Sequence, residues 1–298
     1  PEFFTGCKLR VLPTVNGKLQ LSDLTQAVIR RGDQHYAQDA VISLTQPTEL
    51  GTMYSYQELK NICDWAKSQK LLIHIDGARF IHASTQLQKS FKELTTDLGV
   101  DILSFGGTKN GLMMGEVLVV LNPHLSSQLN IDIKFLRKQF GELPSKTRFI
   151  SAQFLALLAS TKNSSKIFTN SPTNDPAKSM MENSLSGQAL QSDSPLLYQS
   201  ISNHSCQMAR LMESELNKLG LFAEYPVQAN AVFVKFKKEW IRPLRDKFFF
   251  YVCDEKTFVV RLMMSFDTTS EDIMGFIAEL ANLISDNSRT VGNAPRNT

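Results

Sequence analysis

The sequence has only four cysteines, and they are widely separated: Cys7, Cys63, Cys206 and Cys253. No two of them form a CxxC pair, so neither a zinc site nor a disulfide framework is indicated. Reduced thiols in a cytoplasmic protein are the simplest interpretation. The five histidines are scattered as well, and none belongs to a group with the spacing of metal ligands. We therefore expect no bound metal.

A long hydrophobic run and an excess of one charge are also missing. No apolar segment approaches the about 20 residues that a membrane-spanning helix needs, and the first ten residues lack the apolar core of a secretory signal. The net charge is only +3, with lysine and arginine scattered along the chain. Neither nucleic acid nor a membrane is expected as a partner. Pro1 opens what reads as mid-domain sequence, so we expect a fragment.

Short apolar runs alternate with helical patterns through the first 121 residues. AVISLTQ at 40–46, LLIHI at 71–75, DILSF at 101–105 and GEVLVVL at 115–121 read as strands. Strands that alternate with helices predict an α/β fold with a mainly parallel sheet and right-handed crossovers. The continuous apolar run at 40–46 is typical of a sheet covered on both faces.

The composition predicts four regions. Residues 1–150 form part of a large α/β domain, and residues 151–220 form a helical connection. Within that connection, 161–194 is rich in Ser, Asn, Thr and Pro, which predicts a disordered insertion. Residues 221–285 form a small C-terminal α+β domain, and 286–298 form a loose tail.

Two polar turns follow neighbouring strands, with Asp76 in DGAR and Lys109 in FGGTKNG. Open α/β sheets place their chemistry at such strand ends. A neutral lysine can form a Schiff base with an aldehyde, and a carboxylate can pair with a protonated pyridine nitrogen, which keeps the ring an electron sink. The small residues Gly77 and Ala78 leave room for a ring. These features favour a pyridoxal-phosphate enzyme, although Lys109 alone could be a solvated loop charge and Asp76 a turn cap.

Two arginines are candidates for binding a carboxylate through a planar fork. Arg79 follows Asp76 in the same turn, and Arg261 interrupts the apolar strand TFVVRLMMSF. An ion pair inside the protein is the alternative for Arg261. His74 alternates with Asp76 on the strand and would share its face, but further metal ligands are not evident. A packed or hydrogen-bonded His74 is therefore expected.

Four motifs, SLTQPTELGT, IHIDGARF, SFGGTKNG and VVRLMMSFDTTSED, together resemble the low-specificity L-threonine aldolases of the β-eliminating lyase group. The resemblance extends through most of 1–160 and again through about 195–285. It implies the PLP-dependent transferase-like fold, aspartate aminotransferase fold type I, and cleavage of L-threonine or L-allo-threonine to glycine and acetaldehyde. Another fold-type I enzyme, either a lyase or a racemase, and an inactive truncated homologue stay open as alternatives.

The resemblance also implies residue roles, a cofactor and an assembly. The cofactor would be pyridoxal 5'-phosphate, and the protein would be a homodimer or homotetramer because fold-type I enzymes build their sites across an interface. Family members carry a further N-terminal region, with a ring-stacking histidine and a phosphate cradle, that we expect to be missing here. The implied roles are a covalent Schiff base at Lys109, the pyridine nitrogen partner at Asp76, a ring contact at Ala78, a phosphate neighbour at Thr108, a substrate carboxylate clamp at Arg79 and Arg261, and a cofactor or substrate contact at Gln46.

Overall fold

The computed structural model describes residues 2–129, 132–159 and 196–292. They fall into two compact units, the first made of residues up to 49 with 53–201, and the second made of 50–52 with residues from 202 onward. One helix, Leu197–Lys218, runs through the boundary at 201. The predicted helical connection at 151–220 is thus divided between the units, and the predicted insertion at 161–194 lies outside the described residues.

A four-stranded sheet forms the centre of the first unit. Strands β1 (Val41–Thr45), β2 (Leu72–Gly77) and β3 (Ile102–Gly106) are parallel, and β4 (Glu116–Val120) pairs antiparallel with β3. The predicted mainly parallel α/β sheet is confirmed. The helices of this unit are α1 (Glu2–Thr5), α2 (Leu21–Ala27), α3 (Tyr56–Ser68), α4 (Phe80–Leu87), α5 (Phe91–Leu94), α6 (Pro123–Leu129), α7 (Asp132–Gln139), α8 (Arg148–Leu158) and the first turn of α9 (Leu197–Lys218).

The crossover helix α3 forms where its local signals predict it. The Ser55 side chain accepts the backbone N–H of Glu58, and the Glu58 side chain accepts the backbone N–H of Ser55, which closes a capping box. Four residues at helical spacing, Leu59, Ile62, Cys63 and Ala66, are all buried. Their apolar stripe packs into the core and stabilises α3 beyond its intrinsic helix propensity.

The described residues cover only one face of this sheet. Burial alternates along β1, where Ile42 and Leu44 are buried while Val41 is 54% exposed. Leu118 of β4 lies on the same open face and is 55% exposed. The expectation that both faces would be covered is wrong for this part of the chain. Ser43 and Thr45 point to the open face, as a half-covered strand requires, whereas Gln46, just past the end of β1, is buried.

The second unit contains a three-stranded antiparallel sheet. Its strands β5 (Ala231–Lys235), β6 (Tyr251–Asp254) and β7 (Val259–Met263) are ordered β5-β7-β6. Helices α9, α10 (Lys238–Arg245) and α11 (Ser270–Gly292) belong to this unit. The core combines aliphatic residues of the sheet with aromatic and aliphatic residues of the helices, including Val232, Val234, Val260, Leu262, Trp240, Leu244, Phe276 and Leu280.

The end of α11 corrects the expected tail. The helix continues to Gly292, seven residues beyond the end of the predicted domain at 285. The polar composition past Ser285 indicated a loose tail, but no proline or glycine lies between Ser285 and Gly292 to stop the helix. Within the described residues, no helix combines the length and apolar character that crossing a bilayer requires.

Thiol reactivity gives a first test of this fold. Cys7 and Cys253 are exposed while Cys63 and Cys206 are buried, and burial raises the pKa of both buried thiols to about 11. Because the thiolate is the reactive form, the buried pair should stay unreactive near neutral pH. A chromogenic disulfide reagent should therefore count two fast thiols in the native protein and all four in denaturant. Four fast thiols under native conditions would contradict the described core.

Candidate active site

Most of the site residues predicted in the first unit lie at the carboxyl ends of β2 and β3. The two strands are adjacent and parallel, so the turns that follow them emerge at the same edge of the sheet. Asp76 is the penultimate residue of β2, and Ala78 and Arg79 lead from the strand into α4. β3 leads into the single-turn helix Thr108–Asn110, which contains Lys109. Five of the predicted site residues are thus brought to one edge.

Two glycines allow the turns to approach this closely. A Cβ at Gly77 would lie 2.9 Å from the carbonyl oxygen of Ser104 and from Leu103 Cδ1. A Cβ at Gly106 would overlap the backbone of Ala78. Any larger residue at either position would therefore push the two strand ends apart.

The Asp76 carboxylate is half-buried, and its Oδ1 accepts the backbone N–H of Ala78 at 3.2 Å. Among the described residues, no lysine or arginine forms an ion pair with it. A partly desolvated carboxylate is stabilised by a nearby cation. A protonated pyridine nitrogen would supply that cation, so Asp76 fits the predicted cofactor.

Lys109 is exposed, and its ammonium has no hydrogen bond or ion pair within the described part of the chain. The neighbouring Thr108 closes the loop before β4, because its Oγ1 accepts the backbone N–H of Gly115 at 3.1 Å. The N–H of Gly107 donates to the Gly115 carbonyl oxygen at 2.9 Å. The loop is therefore held by its backbone and by the Thr108 hydroxyl, and the amine of Lys109 stays available to a ligand.

His74 is hydrogen-bonded, as predicted. Its Nδ1 lies 2.8 Å from Ser43 Oγ, and its Nε2 lies 2.9 Å from Ser104 Oγ. The three residues join β1, β2 and β3 on the face that also carries Asp76. Burial lowers the pKa of His74, and the Asp76 charge partly opposes that change. The described residues contain no group of three or more His, Cys, Asp or Glu side chains that could hold a metal ion.

Gln46 occupies a different kind of position from the one expected. Its side chain is fully buried, its Nε2 donates to the carbonyl oxygen of Tyr54 at 2.9 Å, and its Oε1 accepts the Tyr54 N–H at 3.0 Å. Its own N–H donates to the Asp76 carbonyl oxygen. The structure therefore gives Gln46 the role of closing the 46–54 loop, and that position does not support a ligand contact.

Arg79 is half-buried at the N-terminus of α4, one turn before the buried His82. Burial, together with the nearby Arg79 charge, lowers the pKa of His82 to about 3. His82 is consequently neutral in the folded protein throughout the physiological range.

The buried His82 predicts a loss of stability in mild acid. The unfolded chain binds a proton near the ordinary histidine pKa of about 6.5, whereas the folded chain does not until about pH 3. Because the unfolded state holds more protons in that window, the unfolding free energy falls as pH falls, by about 2 kcal/mol between roughly pH 7 and pH 5. Denaturant unfolding at the two pH values should show this loss in the wild type and a smaller one in His82→Gln. Equal losses would contradict the assignment.

Arg261 lies in β7 of the second unit. It pairs in register with Phe233 on one side and Tyr251 on the other. Its guanidinium carbon lies 5.1 Å from the centroid of the Tyr251 ring, within cation–π range. Tyr251 in turn has an edge-to-face contact with Phe249. One side of the Arg261 guanidinium thus packs against the Tyr251 ring, which in turn packs against Phe249.

Sequence reasoning missed two residues of this arrangement. Asn110 is 1% exposed and bonds to both turns at the sheet edge, yet its only signal in the sequence is its place after Lys109. Tyr251 supports Arg261, but the FFFYVC run that contains it reads simply as an apolar strand. In both cases the informative contact joins residues far apart in the chain.

Comparisons with known proteins show which family this chain resembles. The family model described as "Beta-eliminating lyase" matches residues 1–239. The "Low specificity L-threonine aldolase" of Pseudomonas sp. (strain NCIMB 10558) is 30% identical over 286 residues, which cover 96% of this chain and 72% of the relative. The protein of the same name from Pseudomonas aeruginosa is 34% identical over 280 residues, covering 92% of this chain and 68% of the relative. A shorter match, 31% identical over 120 residues and 40% of this chain, is to "Alanine racemase TOXG" of Cochliobolus carbonum.

Solved structures show the same fold. The Leishmania major threonine aldolase superposes with a TM-score of 0.73 at 24% identity, covering 95% of this chain and 72% of that chain. An aromatic aminotransferase from Pyrococcus horikoshii superposes with a TM-score of 0.55 at 15% identity, covering 92% of this chain and 65% of that chain. These neighbours are fold-type I enzymes, as the four sequence motifs predicted.

Proposed function

The chain belongs to the β-eliminating lyase family, and from this premise we propose that it is a pyridoxal-phosphate-dependent lyase. Its reaction would be cleavage of the Cα–Cβ bond of β-hydroxy-α-amino acids, which converts L-threonine or L-allo-threonine to glycine and acetaldehyde. Two relatives named for this activity match more than nine-tenths of the chain. Their similarity supports both the reaction and the substrate class.

One observation carries the proposal most directly. At one edge of the sheet, two adjacent strands end at an exposed lysine and at a half-buried carboxylate that has no ion-pair partner among the described residues. A packed core would not favour such a carboxylate, because it is partly desolvated with one backbone hydrogen bond and no cation to compensate. A ligand with both an aldehyde and a protonated ring nitrogen would satisfy Lys109 and Asp76 together.

Each site residue has a proposed role toward this ligand. Bound pyridoxal phosphate supplies an electron-poor ring that stabilises negative charge on a substrate carbon. Lys109 would hold its aldehyde covalently, and Asp76 would accept a hydrogen bond from the ring nitrogen and keep it protonated. The methyl group of Ala78 leaves space for the ring face. The exposed Thr108 would stand near the phosphate.

The two arginines would bind and orient the substrate. The forks of Arg79 and Arg261 suit a carboxylate, which each can hold through two parallel hydrogen bonds. Holding the carboxylate fixes the direction of the Cα–Cβ bond that is to break. In the cleavage, the substrate hydroxyl loses its proton, the bonding electron pair stays on the α-carbon and acetaldehyde departs. A proton returned to the α-carbon then completes glycine.

Substrate assays test this proposal. The chain supplemented with pyridoxal phosphate should release acetaldehyde and glycine in equal amounts from L-threonine or L-allo-threonine, and it should form the amino acid from glycine and acetaldehyde. Loss of optical rotation from L-alanine without acetaldehyde release would instead favour a racemase. That alternative is less favoured because its match covers only 40% of this chain. No acetaldehyde from either threonine isomer would reject the aldolase.

Association of the chain into a homodimer or homotetramer also belongs to this proposal. Phe3, Phe4 and Phe140 are exposed and in edge-to-face contact, with centroid separations of 5.2 and 6.0 Å. An exposed aromatic cluster of this kind is typical of an interaction surface. Sedimentation of the wild type should show a species larger than a monomer, and Phe4→Ser should shift it toward monomer.

The free cysteines support the proposed cytoplasmic location.

A further inference from the structure

We propose that Asn110 is a positioning residue. It holds the turn that carries Lys109 against the turn that follows Asp76, so that the Lys109 amine and the Asp76 carboxylate contact the same ligand. The proposal rests on the function proposed above. It assigns a role to a residue that lies within the motif SFGGTKNG but received no role there. Asn110 acts through its neighbours and is not itself required to contact the substrate.

The Asn110 side chain joins the two turns directly. Its Nδ2 donates to the carbonyl oxygen of Gly106 at 2.6 Å and to the carbonyl oxygen of Ala78 at 3.3 Å. Gly106 ends β3 just before the lysine turn, and Ala78 follows Asp76 at the end of β2. A single amide group therefore uses both of its N–H bonds to connect the segments that carry Lys109 and Asp76.

The turn around Asn110 leaves little freedom for Lys109. The backbone N–H of Asn110 donates to the Gly107 carbonyl oxygen at 2.9 Å, and Gly111 ends the turn with a φ of 93°, a conformation that favours glycine. With the Asn110 side chain buried and its backbone bonded, the Lys109 Cα is fixed on its C-terminal side. A displacement of about 1 Å at a reacting group costs about 10²-fold in rate.

One atom of the Asn110 side chain is unfavourable for folding stability, so stability alone does not explain an asparagine at this position. Asn110 Oδ1 is buried and has no hydrogen-bond partner within the described residues. A buried acceptor without a donor is unfavourable. Asparagine is nevertheless suited to this position, because leucine could not donate to the two carbonyl oxygens and aspartate would place a carboxylate oxygen against them. The geometry therefore points to a requirement for the two donors themselves.

The test compares Asn110→Ala and Asn110→Asp with Asn122→Ala. Asn122 is half-buried and bonds to Asp101 at the opposite end of β3, so it controls for the general loss of an asparagine side-chain bridge. In the cofactor-free chain, amide exchange within residues 106–115 should become about tenfold faster in both Asn110 variants and stay unchanged in Asn122→Ala. With pyridoxal phosphate, kcat for L-threonine should fall by about 10²-fold in both Asn110 variants while KM changes little.

Unchanged exchange in the Asn110 variants would overturn the proposal, as would an equal loss of kcat in Asn122→Ala. The exchange measurement separates this proposal from the proposed function. If the wild type neither binds pyridoxal phosphate at Lys109 nor cleaves threonine, the proposed function is rejected, and exchange in the cofactor-free chain still decides whether Asn110 joins the two turns.

Discussion

Replacing Lys109 with alanine should abolish both the visible absorption band that wild-type protein develops with pyridoxal phosphate and the release of acetaldehyde from L-threonine. Lys109 is the exposed amine at the sheet edge, and the turn that carries it is closed by backbone hydrogen bonds that do not involve its side chain. Removing a group that bonds covalently during a reaction costs about 10⁴-fold or more in kcat. We therefore expect activity near background, measured with a coupled assay for acetaldehyde.

Lys134→Ala is the matched control for this variant. Lys134 is an exposed lysine of α7 in the same unit, and it lies outside the candidate site. Its loss should change neither the absorption band nor the rate. A persistent band in Lys109→Ala, or an equal loss in Lys134→Ala, would show that the cofactor is held elsewhere.

Replacing Arg261 with alanine should weaken amino-acid binding far more than cofactor binding. Removing one partner of a desolvated charged hydrogen-bond pair typically costs 2–5 kcal/mol, so we expect KM for L-threonine to rise by about 10²-fold. Arg261→Lys should recover part of the loss, because lysine keeps the charge but lacks the fork. The affinity for pyridoxal phosphate, followed by its absorption band, should stay within a few-fold of the wild type.

Arg242→Ala provides the control, since Arg242 is an exposed arginine of α10 in the same unit. It should leave both affinities unchanged. Equal weakening of cofactor and amino-acid binding in Arg261→Ala would count against a carboxylate contact. It would indicate instead that Arg261, with Tyr251 against its guanidinium, mainly supports the fold of the second unit.

Local signals in the sequence predict much of this fold. The capping residue Ser55 and the apolar spacing after it fix α3, because both depend on residues within a few positions of each other. The strand ends at Asp76 and Lys109 follow from short apolar runs that stop at glycine-rich turns. Because β2 and β3 are parallel neighbours, the turns that follow them lie at the same edge of the sheet.

Non-local contacts explain what the sequence did not predict. Gln46 stands in a motif near the site, yet its amide is used by Tyr54, which the sequence pattern does not reveal. Asn110 reads as part of a polar turn until the structure shows it bonded to Ala78, 32 positions earlier. The open face of the sheet depends on which elements pack against it, and an apolar run cannot tell a strand covered on one face from a strand covered on both.

Covalent trapping tests the central claim most directly. The chain should be incubated with pyridoxal phosphate, reduced with borohydride and digested, and the peptides should be examined by mass spectrometry. The account predicts one pyridoxyl group per chain on the peptide that contains Lys109, with the label prevented by Lys109→Ala. Labelling that is spread over other lysines, or absent from Lys109, would contradict a cofactor site at the ends of β2 and β3.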